Sequence, residues 1–233
     1  MSLSDFWYAV EHSVTLQDKP ISLTLLDQRY VLFRDSQGKP HALIDRCAHR
    51  GASLGEGWVD GDCIRCPYHG WSYNNQGTCV RIPADREGTP IPNRARMTPL
   101  PIQETNGFIW IFPGNTQLAD PALIPPFPEF GQEGWRPVHG EYTWNANFSR
   151  VVESGLDTSH APFVHKPFFP NRDDAVVHPL DVKVTDHHVS TYVQLKPPKR
   201  LGLLKYIIKS LNEPAPVTVR VNRSQTTREA LLP

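Results

Sequence analysis

Apolar residues in the first half of the chain gather in short runs separated by polar turn signals, and the runs are too short for helices. Ile21 to Leu26, Tyr30 to Phe33 and His41 to Ile44 are β-type runs. The turn-forming Asp35-Ser36-Gln37-Gly38-Lys39-Pro40 joins the second to the third. Asp60-Gly61 sits between Trp58-Val59 and Cys63-Ile64, and Asn74-Asn75-Gln76-Gly77 separates Trp71–Tyr73 from Thr78–Ile82. The sharpest signal is Asn106-Gly107 between Ile102–Thr105 and Phe108–Phe112, because Asn-Gly tolerates the positive φ angles of a two-residue hairpin turn. Short strands with regular turns predict a small antiparallel sandwich or barrel over residues 1–113.

The pattern then changes. Residues 114–137 include Pro125-Pro126-Phe127-Pro128 and show no periodicity, which predicts an extended linker. From 138 to 233 helical and strand signals mix. Tyr142 to Phe148 reads as a strand entering a helix over Asn147 to Ser159. Strand-like runs recur at Val182–Val184 and Val189–Leu195, and Leu201, Leu204, Ile208 and Leu211 form one stripe of a second helix. The expected class is mainly β with some helix.

Lys plus Arg and Asp plus Glu are both 24, which leaves no basic excess for a nucleic-acid partner. No apolar run nears the ~20 residues of a membrane-spanning helix. The segment Met1-Ser2-Leu3-Ser4-Asp5 has no basic stretch leading into an apolar one, so the expectation is a cytoplasmic and not a secreted protein. In a reducing compartment Cys47, Cys63, Cys66 and Cys79 point to metal binding before disulfides.

Two short segments carry that chemistry: Cys47-Ala48-His49-Arg50-Gly51 and Cys66-Pro67-Tyr68-His69-Gly70-Trp71. Each is expected at a hairpin end, with Gly or Pro beside the candidate ligands. Two thiolates and two imidazoles suit a [2Fe–2S] cluster of mixed ligation, in which neutral ligands on one iron raise the potential to about −150 to +300 mV, against about −400 mV for all-Cys plant-type clusters. A structural zinc site is the rival, since Cys63-Ile64-Arg65-Cys66 is also a C-x-x-C that could act with Cys47 and one histidine.

C-x-H-R-G and C-x-Y-H-G-W, spaced as here, resemble the Rieske domain of Rieske non-haem iron oxygenases over residues 5–113. The Rieske proteins of respiratory and photosynthetic complexes have an extra cysteine in each loop. Ala52 and Tyr68 stand at those positions here, which sides with the oxygenases. The resemblance implies Cys47 and Cys66 as thiolate ligands and His49 and His69 as imidazole ligands, with Arg50 and Trp71 matching without ligating. Cys79-Val80-Arg81-Ile82-Pro83 is similar to the pheophorbide a oxygenase and chlorophyllide a oxygenase-like group, with O-demethylases and steroid hydroxylases remaining open.

The second constellation is Glu153, Asp157, His160 and His165. In a continuous helix the first three share a face, and Pro162 breaks the helix so that His165 can return toward His160. Two imidazoles and a carboxylate would form a facial triad for Fe(II), although alone such a face most often is only solvated. Asp157-x-x-His160-x-x-x-x-His165 resembles the mononuclear-iron motif of the same oxygenases. That resemblance implies His160 and His165 as ligands. It casts Asp157 as a hydrogen-bonding bridge to a cluster histidine of a neighbouring subunit.

The resemblance further implies an incomplete α+β, helix-grip-like catalytic domain, a ring such as a homotrimer, and a ferredoxin or reductase as electron donor. O₂ and a small apolar ring, aromatic or tetrapyrrole, would be the substrates, the latter placing the protein beside photosynthetic membranes. Relatives supply a third ligand, a carboxylate, far downstream. With 68 residues after His165, and none of Asp173, Asp174, Asp181 or Asp186 in the family context, the expectation is a truncated chain. The alternative of another class is a Rieske electron carrier without oxygenase activity, which needs only the first domain.

Overall fold

In a computed structural model of the chain, the run Tyr30-Val31-Leu32-Phe33 is buried at every position, because its strand is covered on both faces. The structure describes residues 2–127, 130–135, 144–157, 159–165, 181–184, 188–193 and 217–222. They fall into two units, Met1–Phe127 and Pro128–Pro233. Among them no helix is long and apolar enough to cross a membrane.

The first unit holds ten strands: β1 (Tyr8–His12), β2 (Ile21–Leu25), β3 (Gln28–Arg34), β4 (Pro40–Ile44), β5 (Trp58–Asp60), β6 (Cys63–Arg65), β7 (Ser72–Tyr73), β8 (Cys79–Arg81), β9 (Ile102–Thr105) and β10 (Phe108–Ile111). They form three antiparallel sheets, ordered β1-β10-β9, β2-β3-β4 and β5-β6-β7-β8. From β3, Val31 and Phe33 enter a core shared with Ile64, Tyr73, Cys47, Cys66 and Cys79. Tyr30 and Leu32 enter a second core with Ile109 and Ile111. The Arg34 guanidinium ties these layers, donating to the Ser13, Leu16 and Gly38 carbonyls and to both Glu104 oxygens at 2.6–2.9 Å.

The turns follow the sequence signals, with Asn106 and Gly107 at φ 56° and 78° between β9 and β10. β1 is an addition. It pairs with β10 through a register shift between Ala9 and Glu11, and that extra residue hides its alternation. The expected linker is packed as far as Phe127. Two 3₁₀ turns, Thr116–Leu118 and Pro121–Leu123, carry Ile124 into a third core with Trp7, Trp110 and Phe112. The Trp7 indole N–H donates to the Asp120 carbonyl at 2.8 Å.

In the second unit α1 is Phe148–Leu156 and α2 is Ala161–Val164, followed by β11 (Asp181–Val184), β12 (His188–Val193) and β13 (Val217–Asn222) in one antiparallel sheet. The strand expected to lead into α1 is not formed at residues 144–147, where Asn147 instead caps the helix by accepting from the Ser149 amide. The helix expected at Leu201–Leu211 lies outside the described residues, as do Asp173, Asp174 and Asp186.

Candidate functional site: two paired-ligand loops and a histidine pair

The two motif loops are wired alike. In the first, the Gly51 amide donates to the Cys47 carbonyl at 2.8 Å and the Cys47 amide to the Ala52 carbonyl at 2.9 Å. In the second, the Gly70 amide donates to the Cys66 carbonyl at 3.0 Å and the Cys66 amide to the Trp71 carbonyl at 2.9 Å. Gly51 (φ 75°) and Gly70 (φ 71°) both take the left-handed conformation that closes such a ring. Only the second loop ends a hairpin, between β6 and β7. The first joins β4 to β5 in different sheets, contrary to expectation; its hairpin-like closure is local.

Asp45 anchors the first loop from behind. Its carboxylate is buried and accepts from Ser22 Oγ and Ser53 Oγ (2.6 Å each), the Arg29 guanidinium (2.8 Å) and the Leu54 and Gly55 amides. Burial works against the charge, but these donors outweigh it and hold the Asp45 carboxyl below its usual range.

The four candidate ligands meet as two pairs. Cys47 and Cys66 are buried in one core; burial, then Cys47, pushes the Cys66 thiol up, while the Tyr68 and His69 amides pull it back. His49 and His69 have ring centroids 4.6 Å apart, His49 half-buried and His69 exposed. Partial burial and the neighbouring His69 and Arg50 push the His49 imidazole below its ordinary pKa. Thiols thus point inward and imidazoles outward.

Three aromatic neighbours touch the candidate ligands, and of these only Tyr73 lies outside the motifs. Tyr73 Oη lies 3.2 Å from Cys47 Sγ, and burial pushes that phenol well above its usual pKa, so toward a thiolate at Cys47 it would be the donor. Trp71 lies flat on His49, with centroids 4.6 Å apart and planes within 1°. The Tyr68 ring sits 3.8 Å from that of His69. Tyr73 could have been suspected from its position two residues past Trp71, on the same side of the strand.

The donor set fits a two-iron centre. His49 Nδ1 is buried with no hydrogen-bond partner, an unsatisfied polar atom that costs free energy unless a metal takes it. Among the described residues no three His, Cys, Asp or Glu side chains converge as one ion's ligands would, which disfavours the zinc tetrahedron. Cys63 is half-buried on β6, away from the core of Cys47 and Cys66.

In the second unit the helix ends earlier than expected. Asp157 is its C-cap with ψ 114°, and its Oδ1 accepts from the Ser159 amide (2.8 Å) and hydroxyl (2.5 Å). Ser159 draws that carboxyl below its usual pKa, more than His160 does. Asp157 and His160 therefore meet across a turn and not on a helix face, with Asp157 Oδ2 3.7 Å from His160 Nδ1. Glu153 turns to Arg150 at 2.6 Å and takes no part. His160 and His165 cap the two ends of the single-turn α2 around Pro162, and their ring centroids are 5.3 Å apart.

Comparison with known proteins finds relatives of both parts of the chain. Residues 6–101 match the Rieske [2Fe-2S] domain family, and residues 144–222 the vanillate O-demethylase oxygenase C-terminal domain. The chain is 36% identical to chlorophyllide a oxygenase of Chlamydomonas reinhardtii, over 72% of this chain and 25% of that protein. It is 34% identical to the oxygenase component of dicamba O-demethylase of Stenotrophomonas maltophilia, over 69% of this chain and 47% of that one. The crystal structure of dicamba monooxygenase with non-haem iron and dicamba superposes with a TM-score of 0.78 at 27% identity, covering 95% of this chain and 63% of that one. The aligned part of the chain thus spans a quarter to about half the length of these curated relatives. With a Rieske domain leading into an oxygenase C-terminal domain, the chain belongs to the Rieske-type oxygenases.

Proposed function

We propose that this chain is the metal-bearing part of an oxygenase component, with Cys47 and Cys66 on one iron of a [2Fe–2S] cluster and His49 and His69 on the other. His160 and His165 take a mononuclear Fe(II). The observation that carries this reading is the sorting of the first four side chains into an inner thiol pair and an outer imidazole pair. When bound, the cluster supplies one-electron transfer and the iron O₂ activation toward hydroxylation or oxidative cleavage.

The chain's own residues set the conditions for that chemistry. The apolar core around Cys47 and Cys66 keeps water from the sulfurs, while His49 and His69 give electrons a short way in from a ferredoxin or reductase. Asp157 has one oxygen committed to Ser159 and the other facing His160 Nδ1. At 3.7 Å that second oxygen is one short movement from a hydrogen bond that would fix the His160 tautomer leaving Nε2 for the metal, and in a homotrimer it would bridge to a cluster histidine of another subunit. The relatives named for chlorophyllide a, dicamba and 4β-methylsterol support a small apolar ring substrate. A tetrapyrrole would set the work at the periphery of a photosynthetic membrane.

An electron carrier without oxygenase activity is the second reading. In its favour, among the described residues no carboxylate completes a three-ligand site with His160 and His165. Anaerobic reconstitution with Fe(II) and sulfide separates the two. The proposal expects more iron than sulfide in the purified protein, and a reduced-state EPR signal whose average g lies below the free-electron value. Equal iron and sulfide would leave a carrier, and a colourless, EPR-silent protein would leave neither.

A further inference from the structure

We infer that Trp71 is a positioning residue for His49, fixing the imidazole's plane and shielding one face of it from water; this rests on the reading of His49 as a cluster ligand. The two residues belong to different loops. Trp71 follows Cys66 and His69, whose loop it closes by accepting the Cys66 amide on its carbonyl. Its indole nevertheless lies against the histidine of the other loop, at 4.6 Å and parallel within 1°. Two residues later Tyr73 reaches across in the same way to Cys47, the partner of His49 two positions earlier. One short stretch after the second loop therefore supports both candidate ligands of the first.

The second loop's ligands meet the first loop only through its own ligands, His69 through His49 and Cys66 through Cys47. His69 is contacted by its own neighbour Tyr68, and Cys66 by the amides of Tyr68 and His69. His49 Nδ1 is buried without a hydrogen-bond partner, so no hydrogen bond at that atom orients the ring. The flat indole face sets the ring's plane, and would go on doing so about a bond from Nδ1 to iron. Stacking costs little reorganisation and excludes water from that side. Excluding water matters because reduction adds a negative charge to the cluster, and a wetter ligand stabilises the reduced form.

The test uses the full chain reconstituted anaerobically, with potential and ligand-nitrogen couplings read by potentiometry and pulsed EPR. Trp71→Ala is expected to keep two irons and two sulfides per cluster. Its reduced-to-oxidised ratio at fixed potential should rise about threefold to tenfold, equal to roughly 30–60 mV for one electron. Its nitrogen couplings should broaden as His49 samples several orientations. Trp71→Phe, which keeps a flat ring, should restore both readouts. If the alanine variant fails to assemble, Trp71→Leu carries the test: apolar bulk without a flat face should still broaden the couplings. Unchanged potential and couplings in the alanine variant, or wild-type couplings in the leucine variant, would overturn the inference. Absence of the cluster signal from the parent protein would instead sink the cluster assignment.

Discussion

Tyr73 Oη stands 3.2 Å from Cys47 Sγ with both groups buried, so the phenol has one partner and that partner is a candidate iron ligand. Burial first, and the Cys47 thiol second, push the phenol's pKa up, so toward a deprotonated, metal-bound Cys47 sulfur it would be the donor. A donor to a ligand sulfur favours the more negative, reduced cluster. Tyr73→Phe removes that donor while keeping the ring in the core. The bond is worth on the order of 1 kcal/mol, which for one electron is roughly 40 mV. Potentiometric titration should find the potential lowered by that order, and an unchanged value would mean that the hydroxyl does not touch a ligand sulfur.

His49→Cys tests ligation more directly. A thiolate in place of an imidazole adds an anionic ligand to one iron, as in all-cysteine clusters. The variant should assemble a cluster, since the site is open to the surface at this end. Its potential should fall toward the plant-type range of about −400 mV. A cluster at the parent potential would show that residue 49 is not bound to iron.

Much of this site was legible because its signals are local. Cys-x-His and Cys-x-x-His with adjacent glycines specify closed loops almost without reference to the rest of the chain, and the Asn106-Gly107 hairpin is equally local. That Trp71 and Tyr73 lie near the metal loops is legible from the motif and the two-residue spacing, but not that they reach the opposite loop, which depends on long-range packing. The end of α1 was misplaced for a different reason. Asp157 and Ser159 satisfy each other in a turn, and that side-chain competition overrides the helical spacing of Glu153, Asp157 and His160. β1 was hidden by its bulge, and the packed stretch to Phe127 by prolines whose partners, Trp7 and Trp110, lie far away in sequence.

Asp45 makes the first loop dependent on pH. Its carboxyl is held below the unfolded value of about 3.9. A depressed folded pKa means that the stabilisation is complete above that value and is lost as pH falls through the lower, folded one. Acid unfolding of the parent should therefore steepen below about pH 4. Asp45→Asn, which cannot accept from all five donors, should cost about 2–3 kcal/mol at neutral pH and flatten that acid limb. Urea unfolding monitored at neutral and acid pH checks both; equal losses at the two would show that the ionised form is not what matters.

Asp157→Asn addresses the second unit. Asparagine keeps an oxygen for Ser159 but places no charge opposite His160 Nδ1. Iron content should be unchanged, while electron transfer between the two centres slows at least tenfold in single-turnover measurements, in line with the usual effect of losing such a supporting contact. Loss of iron would make Asp157 a ligand.

Gly70 and Gly38 form a matched pair for the second loop. Both have positive φ, 71° and 77°, so alanine at either should cost about 1–2 kcal/mol in backbone strain and lower the melting temperature similarly. They differ in surroundings. A Cβ at residue 38 meets nothing within 4 Å, whereas one at residue 70 comes within 3.0 Å of Pro83 Cγ and must push the loop or the segment after β8 aside. His69 precedes Gly70 directly, so that displacement is transmitted to a candidate ligand. Gly70→Ala should therefore shift the visible absorption or speed cluster loss under air, while Gly38→Ala leaves the chromophore untouched. Equal chromophore behaviour in two equally destabilised variants would mean that the loop ring closed by Gly70 does not set the geometry of the metal site.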